Sequence, residues 1–354
     1  MKVAIIGAGN GGIVAAADLT EKGHEVTLYH SKSALKDPHP NIIDGNVSFK
    51  GKLVHFEQFT QDPKLAVAEA DVIMTCLPTN ILLEIFKEIS PHLKDGQMIY
   101  INGASSMFSI LIHQYLKETR PELEVYIGES MSLTYAARYD YTENEAEVIL
   151  YSEHNLFSAY PAAHTKIMLE KLNTMYDCFV PAKNIMEPAL NNGNPESHPA
   201  PAILNTGFID NHGDEFYLYK DGVTEHTIKV IEEIDVERQN ICKALGFDAV
   251  DKSERSIRSK YFKEGASLQE QYNTSPILKD LLGPTHLENR YIVEDVTNGL
   301  MLWKSIAEAV DVKTPTIDSI VHLTRLMLED AYFENPLTLE RLGLDADQDL
   351  NGQV

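Results

Sequence analysis

The sequence predicts an α/β dinucleotide-binding domain of the Rossmann type followed by a mainly α-helical domain. Three observations carry that expectation. A glycine-rich turn sits between a short β-branched run and a small-residue helix at the amino terminus. Further buried-strand runs recur at αβ spacing through the first half. After about residue 180 the pattern changes to long amphipathic helices with little strand-like alternation. A chain of 354 residues is long enough for two such domains, each with its own core. The expected boundaries are 1–182 for the dinucleotide domain, 183–345 for the helical substrate domain and 346–354 for a frayed acidic tail.

The elements follow in order. Val3–Ile6 is an apolar run suited to a buried parallel strand. Gly7-Ala8-Gly9-Asn10-Gly11-Gly12 follows at once, then a helix Ile13–Lys22 ended by Gly23, then a second strand Glu25–Tyr29. Gly7 makes the tight turn, Gly9 lets the backbone approach a pyrophosphate, and Gly12 lets helix and strand pack closely. Asn10 and Gly11 complete the turn at a helix N-terminus, whose free N–H groups and positive dipole suit phosphate. A G-x-G-x-x-G alone is a weak signal; inside a strand–turn–helix–strand unit it is a strong one.

The residues after the second strand bear on which nicotinamide dinucleotide is used. An acid there would hold the ribose 2′-hydroxyl of NAD. This chain has His30-Ser31-Lys32, with no carboxylate before Asp37. Lys32 and His30 could meet a 2′-phosphate, which slightly favours NADP(H); the alternative is NAD bound through Ser31, with Lys32 a solvated lysine. "ADVIMTCLPTN" reads as a strand delivering Leu77-Pro78 to the cofactor, and "GQMIYINGASS" as another with Asn102-Gly103 at its carboxyl end, where ligands of open parallel sheets lie. "EVYIGES" and "EAEVILYS" supply further strands, and Ser158–Tyr176 reads as a closing helix.

In the second half, Thr224–Gly246 places Ile228, Ile231, Ile234, Ile241 and Leu245 on one helical face and stops at glycine. Met301–Val310 and Ile317–Ala331 read the same way. A second domain beside a dinucleotide site can hold a substrate against the nicotinamide and keep water out.

The net charge, 30 − 53 = −23, opposes partners with phosphate backbones or anionic lipid, so neither nucleic acid nor membrane is expected as a partner. No apolar run approaches the ~20 residues of a membrane span. Cys76, Cys178 and Cys242 form no metal spacing and no disulfide framework, and the expected location is a reducing cytoplasm. The expected partners are small-molecule substrates, with a homodimer left open.

Two segments of the second half carry candidate chemistry. "NNGNPESHPAPAILNTG" (191–207) reads as ordered loop around His198, because its prolines, asparagines and glycines break regular structure. "LENRYIVEDVTNGL" carries Arg290, Tyr291, Glu294 and Asp295. Reduction of a carbonyl or imine needs a proton donor at the heteroatom, usually histidine near neutral pH. A carboxylate on the far imidazole nitrogen fixes its tautomer, and an arginine fork suits a substrate carboxylate. Judged alone, a histidine before proline reads more readily as structural, and an Arg-x-x-x-x-Asp spacing as a local ion pair.

Five ordered segments resemble the octopine/nopaline, or opine, dehydrogenase family: "IIGAGNGG", "ESMSLTYAAR", "NIMEPALNNGNPESHPAPAILNTG", "DEFYLYKDGVTEHTIKVIEEIDVERQNICKALG" and "RYIVEDVTNGL" with "VDVKTPTIDSIV". The resemblance implies NAD(P)H-dependent reductive condensation of an amino acid with an α-keto acid. It implies that His198 pairs with Asp295 as the acid/base, that Arg290 holds a substrate carboxylate, and that Tyr135, Arg138 and Asn194 bind substrate. The chain departs from the family pattern at Thr134, where proline is common, at Ala137, where cysteine often precedes the arginine, at Asn102-Gly103, which replaces Pro-Gly, and at Thr297, where proline often follows the aspartate. Two rivals remain: a ketopantoate-reductase-like enzyme, whose lysine–glutamate pair has no match here, and a non-catalytic dinucleotide sensor.

Overall fold

The computed structural model describes residues 1–32, 34, 37–103 and 106–344, so the acidic tail lies outside the described residues. The chain divides into two compact units, Met1–Pro188 and Ala189–Val354.

The strands are β1 (Lys2–Ile6), β2 (Glu25–Tyr29), β3 (Asn46–Phe49), β4 (Lys52–His55), β5 (Gln58–Thr60), β6 (Val72–Thr75), β7 (Met98–Ile101), β8 (Tyr126–Ser130), β9 (Tyr135–Asp140), β10 (Glu145–Tyr151), β11 (Asn155–Tyr160) and β12 (Phe179–Pro181). Among the described residues they form two sheets in the first unit. The larger is eight-stranded, in the order β12-β11-β8-β7-β6-β1-β2-β5, and the smaller is four-stranded, β4-β3-β10-β9. In the larger sheet β1 lies parallel to β2 on one side and to β6 on the other, with Ile6 opposite Tyr29 and Thr75. Its central strands are buried on both faces, which explains their unbroken apolar sequences. The carboxyl ends of β1, β2 and β6 therefore meet where the winding direction changes, the usual ligand position in such sheets.

Helix Asn10–Glu21 packs against both sheets, on β2 and on β9 and β10. With both faces covered it has no solvent stripe, and Ala15, Ala16 and Ala17 are fully buried. Small residues let two layers approach one helix. Its buried Asp18 accepts a hydrogen bond from the Tyr151 hydroxyl at 2.6 Å and forms an ion pair with the Lys22 ammonium at 2.9 Å. The segment "EAEVILYS" belongs to this second sheet.

The expected closing helix over Ser158–Tyr176 is only partly helical. Asn155–Tyr160 forms edge strand β11, antiparallel to β8, and the helix is confined to Thr165–Leu172. Pro161 lies between the two elements and sets the boundary.

The second unit is helical; among its described residues the only β-type pairing is an isolated bridge between Tyr217 and Leu282. Helix Thr227–Ala244 buries Ile228, Ile231, Ile234 and Ile241. It ends in a Schellman turn: Gly246 takes φ +71°, its N–H donates to Lys243 at 3.1 Å, and Phe247 N–H donates to Cys242 at 2.8 Å. Buried Glu237 accepts from the N–H groups of Thr316 and Ile317 at 2.7 and 2.9 Å and so caps helix Pro315–Met327.

Candidate active site

The first unit holds a cavity of about 760 Å³ at the carboxyl ends of β1, β2 and β6. Gly7, Gly9, Asn10, His30, Ser31, Leu77 and Pro78 line it. The glycine turn fits a dinucleotide pyrophosphate on steric grounds. A Cβ on Gly12 would stand 1.7 Å from the Gly7 carbonyl oxygen, so the turn closes only with glycine there, and Gly7 itself sits at φ +110°. A Cβ on Gly9 would meet nothing within 4 Å, so that backbone faces open space where a phosphate can approach.

Cavity residues that sequence reasoning missed come from elsewhere. Ile81 and Glu84 project from helix Thr79–Ile89, while His39, Tyr139 and Tyr141 close the cavity from outside the large sheet. His39 and Tyr141 meet edge-on at 5.4 Å. An adenine ring would find aromatic and apolar walls there. No local motif marks these residues, because the small sheet that carries Tyr139 is assembled from distant segments. Lys32 is exposed and does not line the cavity. The Ser31 hydroxyl donates to the Glu88 carboxylate at 3.0 Å, as does that of Tyr29 at 2.6 Å.

In the second unit, His198 sits at the junction of two short helices, Asn194–Ser197 and Pro199–Leu204. The expectation of loop over 191–207 is corrected here. Pro195 and Pro199 occupy first-turn positions, where a helix needs no N–H and a fixed φ is an advantage, so prolines that look like helix breakers start helices instead. The His198 N–H donates to Asn194 at 3.0 Å and its carbonyl accepts from Ala202 at 3.2 Å, which fixes the backbone.

Asp295 approaches from helix Arg290–Glu294, which Asn289 caps through the Tyr291 N–H at 3.1 Å. At Asp295 the helix widens into a π-helical turn, Asp295–Leu300, a form that is rare and often found at functional sites. Gly299 lies in that turn, and a Cβ there would stand 2.4 Å from Pro195 Cγ. The missing side chain lets the histidine segment seat directly on the π turn.

The result is a buried chain of hydrogen bonds. His198 Nδ1 meets Asp295 Oδ2 at 2.7 Å, and His198 Nε2 meets the Tyr219 hydroxyl at 2.7 Å. His198, Asp295 and Tyr219 are exposed by only 6%, 4% and 5%. Burial, above all, pushes the Tyr219 phenol well above its ordinary pKa, so it stays protonated. Tyr291 packs edge-on to the imidazole at 4.5 Å between ring centres.

Behind His198 lies a buried ionic network. Glu196 pairs with Arg255 at 2.6 Å, with Lys252 at 2.8 Å and with Arg238 at 3.5 Å. Asp235 pairs with Arg238 and Arg255 at 2.7 and 3.1 Å. Burial raises the Asp235 carboxyl, but Arg238 and Arg255 outweigh it and hold the group at about 2. Arg255 and Lys252 also donate to the carbonyls of Asn191 and Gly193 at 2.9 and 3.3 Å, so the network grips the chain that leads into His198.

Residues 181–328 match the α-helical domain of NAD/NADP octopine/nopaline dehydrogenases, and residues 2–130 match the amino-terminal domain of NAD-dependent glycerol-3-phosphate dehydrogenases. Over 347 residues the chain is 29% identical to an opine dehydrogenase of Arthrobacter sp. (strain 1C), covering 96% of this chain and 94% of that one. Its helical half thus matches the octopine/nopaline dehydrogenase domain, and along nearly its whole length the chain is similar to an opine dehydrogenase. It is thus an NAD(P)-dependent oxidoreductase acting on CH–NH bonds. An octopine dehydrogenase solved with NADH and L-arginine shares the fold, with a TM-score of 0.75 at 20% identity over 100% of this chain and 98% of that one. A yersinopine dehydrogenase with NADP+ bound gives 0.69 at 17% identity over 99% and 98%.

The other sequence-expected residues are placed as follows. Arg290 stands one turn before Asp295 with a half-exposed side chain, its Nε 3.4 Å from Glu294. Asn194 opens the short helix before His198. Tyr135 is fully buried, and its hydroxyl donates to the Gly11 carbonyl at 3.0 Å. Arg138 is exposed on β9 directly across from Glu147, away from the cavity lining. Asn102 is likewise buried. Its Oδ1 accepts from Thr134 N–H at 3.1 Å and from Tyr100 at 3.0 Å, and it does not line the cavity. Gly103 takes φ +89°, with Leu133 where a Cβ would stand. Two departures from the family pattern thus explain each other: proline at 134 would lack the N–H that Asn102 holds.

Proposed function

We propose that the protein condenses the amino group of an amino acid with an α-keto acid and reduces the resulting imine, with His198 as acid and base. The observation that carries this reading is the buried 2.7 Å contact between His198 Nδ1 and Asp295. Asp295 fixes the tautomer and supports the imidazolium, leaving Nε2 to exchange protons. Arg290 supplies a planar cation for a substrate carboxylate; its present partner Glu294 is a bond that a substrate would compete for. Asn194 lies at the same segment as a further polar group for substrate. When bound, the nicotinamide supplies the hydride. The glycine turn, Leu77 and Pro78 hold the cofactor.

Between its two forms, Lys32 and His30 favour NADP(H), whereas Asp37 and Glu84 at the cavity and the Ser31–Glu88 bond favour NAD(H) by repelling a 2′-phosphate. We take the second, because Lys32 stands outside the lining.

The test is oxidation of NADH or NADPH with a panel of amino acids and α-keto acids. Turnover that requires both organic substrates is expected. Turnover on the keto acid alone would indicate the ketopantoate-reductase-like reaction instead. His198→Ala is expected to lower kcat by about a thousandfold with cofactor binding retained. Full rate in that variant would remove His198 from the chemistry.

A further inference from the structure

Both nitrogens of the His198 imidazole are engaged in the protein. Asp295 holds Nδ1 and the Tyr219 hydroxyl holds Nε2, each at 2.7 Å. A proton leaving His198 for a substrate therefore has two routes: through the phenol, or from Nε2 after the phenol has swung aside.

The surroundings of Tyr219 decide between them. Its ring stacks on Tyr272 with planes 6° apart and centres 5.4 Å apart. Tyr272 is fastened in turn by its hydroxyl to Ser197 at 2.6 Å and edge-on to Phe262 at 5.0 Å. The Tyr219 carbonyl accepts from Asn273 at 2.7 Å, and the same amide holds Val223 at 2.9 Å, which fixes the backbone on both sides of the following turn. A swing would break the stack and strand a buried imidazole nitrogen. Rotation of the hydroxyl hydrogen about the C–O bond requires neither. Among the described residues the hydroxyl makes no second hydrogen bond, so one of its valences remains for a substrate.

We propose that Tyr219 is a catalytic residue, the terminal member of an Asp295–His198–Tyr219 proton relay. This rests on the reading of His198 as acid and base. In loss of water from the carbinolamine, the Tyr219 O–H bond breaks as its proton passes to the carbinolamine hydroxyl. The C–O bond then breaks, water leaves, and the nitrogen lone pair forms the C=N bond of the iminium. The phenol oxygen recovers a proton from Nε2 of protonated His198, which ends neutral with Nδ1–H on Asp295. In the preceding step the ammonium group of the amino acid gives one proton to the phenol oxygen as the phenol passes its own to neutral Nε2; the free amine then attacks the keto carbon, the C=O π bond breaks, and a second N–H proton moves to the new alkoxide, which leaves the neutral carbinolamine beside protonated His198. The phenol never needs to persist as an anion, which its burial disfavours.

Tyr219→Phe removes the hydroxyl and keeps the ring stack. The relay predicts a fall in kcat of about a hundredfold for amine-dependent NADH oxidation, with KM for the keto acid and NADH affinity preserved. A kcat equal to wild type overturns it, since the phenol would then be only a cover for Nε2. A second readout is independent of turnover: the ¹⁵N resonance of His198 Nε2 in the whole protein. It should move in Tyr219→Phe, and an unmoved resonance overturns the relay. If the wild type shows no turnover with any amine and keto acid pair, the assigned activity fails, and the resonance alone then judges the relay.

Discussion

The glycine turn at 7–12 and the histidine segment at 194–204 are both rigid, but for opposite reasons. The turn is held by what is missing: Gly12 leaves the Gly7 carbonyl a place to sit, and nothing else of comparable shape fits. The histidine segment is held by what other elements supply, namely Asp295, Tyr219, and the Arg255 and Lys252 side chains gripping the carbonyls before it. The first is a local steric requirement written in six consecutive residues. The second is a network gathered from side chains as far as 97 positions away.

That contrast is most easily broken at the turn. Gly12→Ala places a Cβ 1.7 Å from a carbonyl oxygen, so the turn must open. Loss of NADH binding is expected, read by fluorescence titration, with the second unit's helices intact by circular dichroism. Gly9→Ala sharpens the point, because its Cβ meets no protein atom within 4 Å. The fold should survive while NADH affinity falls. Unchanged affinity in Gly9→Ala would move the pyrophosphate away from this turn.

At the histidine segment the corresponding weak point is charge. Glu196→Gln keeps the shape but leaves Arg238, Lys252 and Arg255 facing Asp235 alone. Breaking a buried pair of this kind costs about 3–5 kcal/mol. Chemical denaturation should show a loss of that order, together with reduced kcat, because two of these cations also position the carbonyls of Asn191 and Gly193. A variant as stable as wild type would show that the network is incidental to the segment.

The same difference explains what could be read in advance. The βαβ unit was legible because strand, glycines and helix each obey rules of spacing within about thirty residues. His198 and Asp295 were candidates by residue type, but only the resemblance paired them, since a histidine before proline and an aspartate on a helix carry no local signature of each other. Tyr219 was not legible at all: "DEFYLYKDG" carries no local signal that singles it out, and only the fold brings its phenol to Nε2. The prolines at 195 and 199 misled for a physical reason, being breakers inside a helix and starters at its first turn. Tyr135 and Asn102 were expected at ligands, and the fold engages their polar atoms with Gly11 and Thr134; sequence offers no way to see which polar atoms already have partners inside the protein.

The smallest expected effect lies where steric logic enters the histidine site. Gly299 and Asp295 share one π-helical turn, and Pro195 and His198 share one short segment. Pro195 Cγ and Cβ would lie 2.4 and 2.8 Å from a Cβ at 299. Gly299→Ala therefore wedges the imidazole's segment away from the carboxylate's helix. Overpacking of this size costs about 1–3 kcal/mol, less than removing Glu196, because a proline ring and a helix turn can each yield a little. The chemistry should be more sensitive than the fold, since a hydrogen bond of 2.7 Å has little slack. The expected outcome is a modest drop in melting temperature with a larger proportional drop in kcat and unchanged NADH affinity. If melting temperature falls while kcat holds, the seating of Pro195 on Gly299 stabilises the unit without aiming His198, and the histidine site is then fixed by its hydrogen bonds alone.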